Sequence, residues 1–271
     1  MHEKTAILIN AAIDVLNEYR PMTLRQVYYQ LVAKHIIDNN RNEYQRLSNA
    51  LVKARQEGLI PWDWIEDRTR KPRQPNMWLD LEHFIDTVKQ AYRKNTWQYQ
   101  PRYIEVWLEK EALAGVFTDI IEEYGVTLVV GRGYNSWSAY EEAARRLTMY
   151  DKPASILYFG DFDPSGEDIV RALSDSLSFF KTCPEIEKVA LTYNDVVEYN
   201  LPPDFTKATD SRSKAFIERY GNIAVELDAL PLPVLQNRIR KAVEANLDLG
   251  ALAAIRHEEA AELEELNELL A

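Results

Sequence analysis

The chain has 271 residues, of which 46% are hydrophobic, and its formal net charge is −11 at pH 7. This length suits one large domain or two medium ones with substantial cores. No stretch approaches about 18 uncharged apolar residues, which excludes a membrane-spanning helix, and the single cysteine, Cys183, cannot form an internal disulfide. The first residues have the spacing of an amphipathic helix rather than of a signal peptide. The single cysteine fits a reducing cytosol, so we predict a cytoplasmic protein, although a cysteine-poor exported protein would have the same composition.

Basic charge is concentrated near the start of the chain. Residues 20–73 hold eleven basic residues against six acidic ones, whereas the end of the chain is acidic. A locally basic segment on an acidic chain can bind a phosphate backbone with salt-sensitive affinity. Charge alone leaves open the alternative that this segment is a solvated surface without a nucleic-acid partner.

Residues 1–75 have the pattern of three helices followed by a short strand. The second helix, "TLRQVYYQLVAKHI", opens with Thr23 and has Gln26 three positions later, the spacing of a capping box. The third, "NEYQRLSNALVKARQE", stops at Gly58, a residue that commonly ends helices. The next segment alternates as a strand does, at Ile60, Trp62 and Trp64. This outline predicts a mainly helical, winged-helix-like N-terminal domain.

A basic linker, "RTRKPRQP", follows and is broken by two prolines. Its cations are the candidate DNA-binding residues of this region: Arg68, Arg70, Lys71 and Arg73. The segment "MWLDLEHFIDTVKQAYRK" then predicts a bridging helix within residues 76–98.

Residues 99–195 have strand patterns that alternate with helical ones. The strand segments are "RYIEVWLE", "VTLVV", "SILYF" and "EKVALTY". This alternation predicts an α/β domain with a mostly parallel sheet and helices on both faces. Residues 196–271 are predicted to form a helical C-terminal extension.

Three acidic residues fall at the ends of predicted strands. Glu109 ends the first strand, and Asp161 and Asp163 follow the third in "GDFDPSG". Ligands gather at the carboxyl ends of parallel strands, and Mg²⁺ prefers a few carboxylates together with waters and substrate phosphate. We therefore predict a Mg²⁺ site there, in which Mn²⁺ can substitute. The alternative for Asp163 is a helix N-cap with Pro164 at the first helical position, and the two roles are compatible.

A glycine loop, "GRGY", follows the second strand. Its Arg132 is a candidate to contact the same phosphates, since the loop opens at the same edge of the sheet.

The segments "LEKEALAGVF", "VVGRGY" and "GDFDPSGEDI" resemble, in this order and spacing, the Toprim domain of the topoisomerase VI A subunit and of its relative that makes meiotic double-strand breaks. That family has lysine where this chain has Arg132, so the cation is kept. The resemblance covers roughly residues 20–70 and 100–195.

The family's nucleophile is the second aromatic of a pattern that begins with arginine, and "RQVYY" places this tyrosine at Tyr29. Helical spacing independently assigns Tyr28 to the apolar stripe of the core, whereas Tyr29 lies four residues after Arg25 on another face. A guanidinium beside a phenol favours the phenolate, which an unaided tyrosine rarely forms at neutral pH. The alternative is that Tyr29 is an ordinary half-buried aromatic residue.

The resemblance implies Mg²⁺-dependent cleavage of double-stranded DNA, with Tyr29 linked to the 5′ phosphate and Arg25 and Arg132 positioning it. It implies that Glu109, Asp161 and Asp163 hold the metal, that the protein is a homodimer, and that a separate ATPase subunit is a candidate partner. Two alternatives stay open. One is a Toprim nuclease in which water attacks the phosphate, and the other is a non-catalytic DNA-binding module.

Overall fold

The computed structural model describes residues 3–66, 75–131, 136–203 and 213–270. Together they form an α/β fold in which four strands are accompanied by eleven α-helices. The strands are β1 (Tyr103–Leu108), β2 (Thr127–Val130), β3 (Ala154–Phe159) and β4 (Glu185–Ala190). The helices are α1 (Glu3–Tyr19), α2 (Leu24–Ala33), α3 (Arg41–Gln56), α4 (Leu81–Ala91), α5 (Ala114–Ile121), α6 (Trp137–Thr148), α7 (Pro164–Phe179), α8 (Tyr193–Glu198), α9 (Ser213–Tyr220), α10 (Leu232–Glu244) and α11 (Leu249–Leu269).

The four strands form one parallel sheet in the order β2-β1-β3-β4. All four were predicted from the sequence, and the parallel arrangement is confirmed. Every residue of β1 is buried, as expected for a central strand that is covered on both faces. Leu108 pairs with Phe159 in the register of β1 and β3, so these two strands end side by side.

The strand order creates a switch point between β1 and β3. The chain leaves β1 through α5 to reach β2 on one side, and it leaves β3 through α7 to reach β4 on the other. Right-handed crossovers then put α5 on one face of the sheet and α6 and α7 on the opposite face. In open α/β sheets such a switch point, at the carboxyl ends of the strands, is where ligands bind.

The N-terminal helices α1, α2 and α3 pack on one another. The predicted capping box is present at the start of α2, where the Thr23 hydroxyl accepts from the Gln26 backbone N–H and the Gln26 side chain accepts from the Thr23 N–H. The end of α3 also matches the prediction, because Gly58 follows it with a positive φ of 74°. Such a backbone conformation favours glycine.

The strand predicted after α3 is wrong. Trp62–Trp64 form a short 3₁₀ helix instead, closed by a bond from the Trp64 N–H to the Pro61 carbonyl oxygen. Pairing is limited to an isolated bridge between Met22 and Ile65, so in the described residues the alternating pattern lacks a neighbouring strand. The exposed Trp62 ring lies under the Arg55 guanidinium, 4.8 Å from its carbon, which accounts for a large aromatic at the surface.

The C-terminal segment packs on both of the preceding parts. The 3₁₀ turn Leu227–Ala229 contacts α2, and α10 lies against α5. An antiparallel bridge between Phe162 and Val225 ties the same segment to the loop after β3. This packing carries the acidic residues of the segment to the switch point.

Within the described residues, none of the helices combines the length and the apolar character needed to cross a membrane.

Candidate functional site

The candidate site lies where β1 and β3 end. Glu109 follows β1, and Asp161 follows β3 after Gly160. The backbone N–H of Asp161 donates to Glu109 Oε2 at 3.0 Å, which ties the two strand ends together. A Cβ atom at Gly160 would lie 2.6 Å from the same oxygen, so any larger residue there would displace the Glu109 carboxylate.

Asp163 caps the helix that follows. Its Oδ1 accepts from the Gly166 backbone N–H at 2.6 Å, and Pro164 occupies the first turn of α7. The N-cap role predicted as an alternative is therefore confirmed. A Cβ atom at Gly166 would lie 2.0 Å from the Asp161 carbonyl oxygen, so glycine is needed for the turn to close.

The ionised form of the Glu109 carboxylate is destabilised by burial and by its acidic neighbours. Its pKa is raised above the ordinary value, first because burial disfavours the charged form and then because the Asp161 and Asp163 carboxylates lie nearby. The hydrogen bond from the Asp161 N–H opposes these effects without cancelling them. A cation among the three carboxylates would relieve the repulsion.

The three carboxylates fit Mg²⁺ by their chemistry. In the described part of the chain, each uses one oxygen for a bond within the protein and keeps its second oxygen without a hydrogen-bond or ion-pair partner. They do not form a ready-made cluster, since the described residues contain no group of three or more acidic, histidine or cysteine side chains arranged to hold a metal. Asp161 Oδ1 instead accepts from the Leu227 N–H at 2.8 Å and lies 2.9 Å from Lys110 Nζ.

Lys110 connects the strand ends to the C-terminal segment. Its ammonium group lies 2.9 Å from Asp161 Oδ1, 2.6 Å from Glu226 Oε2 and 3.7 Å from Asp228 Oδ2. The Lys110 side chain is only 12% exposed, so these pairs are screened less than surface pairs. The sequence prediction did not include Glu226 and Asp228 among the site residues. A signal was present in "VELDAL", where two acids stand two positions apart as they do at Asp161 and Asp163.

Arg25 reaches the same acidic pair from α2. Its Nε lies 2.5 Å from Asp228 Oδ2, and its Nη2 pairs with Glu226. The Asp228 side chain is fully buried, and among the described residues its Oδ1 has no hydrogen-bond partner. Two cations from separate parts of the fold thus hold the Glu226 and Asp228 carboxylates against the strand ends.

Tyr29 lies beside this ionic network. The Arg25 guanidinium carbon is 5.4 Å from the centre of the Tyr29 ring. The pKa of the Tyr29 hydroxyl is raised, mainly by burial, and Arg25 lowers it by less than burial raises it. Asp228 and Asp161 raise it further. The predicted influence of Arg25 therefore has the expected sign but is outweighed, so the phenol form is favoured in this arrangement.

The two tyrosines of α2 have different surroundings. Tyr28 is buried, as predicted, and its hydroxyl lies 3.0 Å from Asn39 Oδ1 and 3.1 Å from the Asn40 carbonyl oxygen. Tyr29 is buried too, with 7% of its surface exposed, so it is more deeply buried than the half-buried aromatic residue of the alternative interpretation. The turn at Leu227–Ala229 packs against α2, and its Asp228 lies near enough to Tyr29 to raise the pKa of the hydroxyl.

Arg132 and the four linker cations lie outside the described residues: Arg68, Arg70, Lys71 and Arg73. Their roles stay predictions from the sequence.

Comparisons with known proteins leave the resemblance as a hypothesis that rests on the motifs. No protein-family model matches this chain. No curated protein matches its sequence either.

Proposed function

We propose that this protein cleaves DNA strands in a Mg²⁺-dependent reaction, in the manner of the topoisomerase VI A subunit. One observation carries the proposal: the packing of the C-terminal segment brings Arg25 and Tyr29 of α2 into the same charged cluster as Asp161 at the end of β3. The candidate nucleophile and the candidate metal ligands were inferred from separate stretches of sequence. Their proximity in one chain supports a shared site.

The proposed chemistry is a transfer of one phosphodiester bond. Tyr29 Oη forms a bond to phosphorus while the bond from phosphorus to the 3′ oxygen breaks. The phenol proton passes to solvent, and the 3′ oxygen takes up a proton as it leaves. The tyrosine remains linked to the 5′ phosphate, and no net oxidation occurs.

The charged residues would divide the remaining work. Glu109, Asp161 and Asp163 would hold Mg²⁺, which would neutralise charge that develops on the phosphate and on the leaving oxygen. Arg25 would position the phosphate, since a guanidinium can donate two parallel hydrogen bonds to it. Lys110 would supply a second positive charge, because its ammonium group already lies among the carboxylates.

Double-stranded DNA is the proposed partner, and the resemblance also suggests a homodimer, with a separate ATPase subunit as a further candidate. In that family the tyrosine of one subunit works with the metal of the other. Here the tyrosine and the carboxylates of a single chain lie close together. We propose that the same residues take part whether Tyr29 acts with the metal of its own chain or with the metal of a partner subunit. A cytoplasmic location is proposed with them.

A second candidate function is a nuclease in which water attacks the phosphate. The observation that favours it is the raised pKa of Tyr29, since a buried phenol that holds its proton is a weak nucleophile. The same carboxylates would serve this reaction. The two candidates differ only in the attacking oxygen.

One assay separates these candidates from a non-catalytic DNA-binding module. End-labelled duplex DNA is incubated with the protein and Mg²⁺, and the mixture is then denatured. Label that stays on the protein supports attack by tyrosine. Free cut ends support attack by water, and intact DNA with retained binding supports the module.

A further inference from the structure

A cavity of about 460 Å³ lies between α2 and α3, next to the candidate site. Its lining includes two cationic side chains, Arg25 and Arg41, and the rings of Tyr29 and Tyr44. Glu226 also lines the cavity, and it belongs to the ionic network through its pair with Lys110. Binding pockets for small ligands usually have volumes of about 300–1,000 Å³, so this cavity has room for one small organic molecule.

The Glu226 carboxylate marks a position suited to an anion. One of its oxygens, Oε2, pairs with Arg25 and lies 2.6 Å from Lys110 Nζ. Arg25 belongs to α2 and Lys110 follows Glu109 at the end of β1, and both pair with the same oxygen of Glu226. The Glu226 side chain is 31% exposed, so it can leave this position at a lower cost than the buried Asp228.

The rest of the cavity suits an aromatic, polar ligand. Tyr44 is half-buried, and its ring packs edge-on against Tyr28 at 5.1 Å between the ring centres. Arg41 is exposed, and the described residues offer it no ion-pair partner. Aromatic rings stack on nucleobases, and guanidinium groups contact both bases and phosphates. An anion alone would leave most of this lining without a contact.

We infer that this cavity binds a single nucleotide, whose phosphate takes the position that the Glu226 carboxylate holds between Arg25 and Lys110. The inference rests on the proposed function in one respect, since the DNA strand would supply the nucleotide. Glu226 then acts as a competitor that the phosphate displaces. A nucleotide held here would place its phosphate next to Tyr29.

Calorimetric titration in the presence of a metal chelator tests the inference, since it requires neither Mg²⁺ nor cleavage. The probes are thymidine 5′-monophosphate, thymidine and inorganic phosphate. Thymidine 5′-monophosphate is expected to bind about tenfold more tightly than either of the others, a difference of about 1.4 kcal/mol. Equal affinity for the nucleotide and for inorganic phosphate would overturn the inference, because the cavity would then contribute nothing.

Two variants and a matched control sharpen the test. Glu226→Gln removes the competing charge with little change of shape and should tighten nucleotide binding about tenfold, whereas Arg41→Gln should weaken it by a similar factor. Arg46→Gln changes an exposed arginine of the same helix that pairs with Glu43, and it should leave the affinity as in the parent. The inference is contradicted if neither Glu226→Gln nor Arg41→Gln changes the affinity for the nucleotide. It is also contradicted if Arg46→Gln reduces the affinity as much as Arg41→Gln does.

The outcome can be separated from that of the proposed function. A protein that binds the nucleotide but leaves DNA intact keeps the inference and loses the cleavage proposal. A protein that cleaves DNA but shows no preference for the nucleotide over inorganic phosphate keeps the cleavage proposal and loses the inference.

Discussion

Arg25 and Asp228 form an ion pair across 203 positions of the chain, with Arg25 Nε 2.5 Å from Asp228 Oδ2. The Asp228 side chain is fully buried, whereas Arg25 is 39% exposed. The pair joins the helical N-terminal part to the turn that approaches the strand ends. It therefore positions the candidate nucleophile relative to the candidate metal ligands.

Loss of this ion pair should destabilise the fold. Arg25→Gln leaves a buried carboxylate without its nearest cation, which should lower the free energy of unfolding by about 1–3 kcal/mol. Lys110, at 3.7 Å from Asp228, limits the loss. Adding Asp228→Asn should recover part of it, and urea unfolding of the parent, both single variants and the double variant measures the coupling.

Arg46→Gln is the control for this cycle. It breaks an exposed pair within one helix, and such pairs contribute about 0–1 kcal/mol. If the two Arg25 and Asp228 substitutions are additive, the pair does not join the two parts of the fold.

Much of the site could be predicted because strand ends follow a general rule. Glu109 and Asp161 were placed together on the expectation of a parallel sheet, and the register of β1 and β3 brings them there. The acidic pair Glu226 and Asp228 is visible in "VELDAL", but its contact with Arg25 spans about two hundred residues, and no local pattern predicts such a contact.

The short strand after α3 was wrong for a related reason. Alternating residues predict a strand only if a neighbouring strand accepts its hydrogen bonds. In the described residues this segment pairs only through the isolated bridge between Ile65 and Met22, and Trp62–Trp64 form a 3₁₀ turn instead. The full burial of Tyr29 was not predicted either, since the turn that packs against α2 belongs to the distant C-terminal segment.

The raised pKa of Glu109 predicts how stability depends on pH when metal is removed. The folded state binds the proton more tightly than the unfolded state does, so the ionised carboxylate destabilises the fold above its folded pKa. Glu109→Gln should therefore raise the melting temperature at neutral and mildly alkaline pH in a chelator. The gain should shrink as the pH falls through the folded pKa and the parent takes up its proton.

Thermal melts of both proteins across this pH range measure the difference. Glu187→Gln, which changes an exposed acid on β4, is the matched control and should show no such trend. A gain that increases on acidification would show that the cost of ionising the buried Glu109 carboxylate beside Asp161 and Asp163 is not its cause.

Mg²⁺ or Mn²⁺ should stabilise the parent protein. A ligand that binds only the native state raises the free energy of unfolding, and with it the melting temperature. The gain in free energy is about 2.7 kcal/mol when the ligand concentration is a hundred times its dissociation constant. Asp161→Ala should remove this increase, because it deletes one of the three proposed ligands. Melting curves at increasing metal concentration give the result.

The control for metal binding is Glu187→Ala, since Glu187 lies within β4 and pairs with Leu157 inside β3 rather than with a residue at the strand end. It should respond to metal as the parent does. An Asp161→Ala protein with a full metal response would place the metal elsewhere.

The basic linker should bind DNA through its phosphates. Replacing Arg68, Arg70, Lys71 and Arg73 with alanine should weaken binding to any duplex. Each lost phosphate contact should lower the slope of log K against log salt concentration by about 0.9. Fluorescence anisotropy at several salt concentrations measures the slope. A slope equal to that of the parent would show that this segment makes no phosphate contacts and serves only as a linker.

The central claim concerns the oxygen that attacks the phosphate, and Tyr29→Phe tests it most directly. This change removes one oxygen and little packing, so the fold and DNA binding should persist. Tyr28→Phe is the matched control in the neighbouring position. It should keep cleavage activity and cost about the 0.5–1.5 kcal/mol of one hydrogen bond.

The measurement is the amount of labelled duplex DNA that remains attached to the denatured protein in the presence of Mg²⁺. We predict an adduct with the parent and with Tyr28→Phe, and none with Tyr29→Phe or with Asp163→Ala, in which Tyr29 is intact. Cleavage by Tyr29→Phe at the parental rate would contradict the account and make water the attacking group.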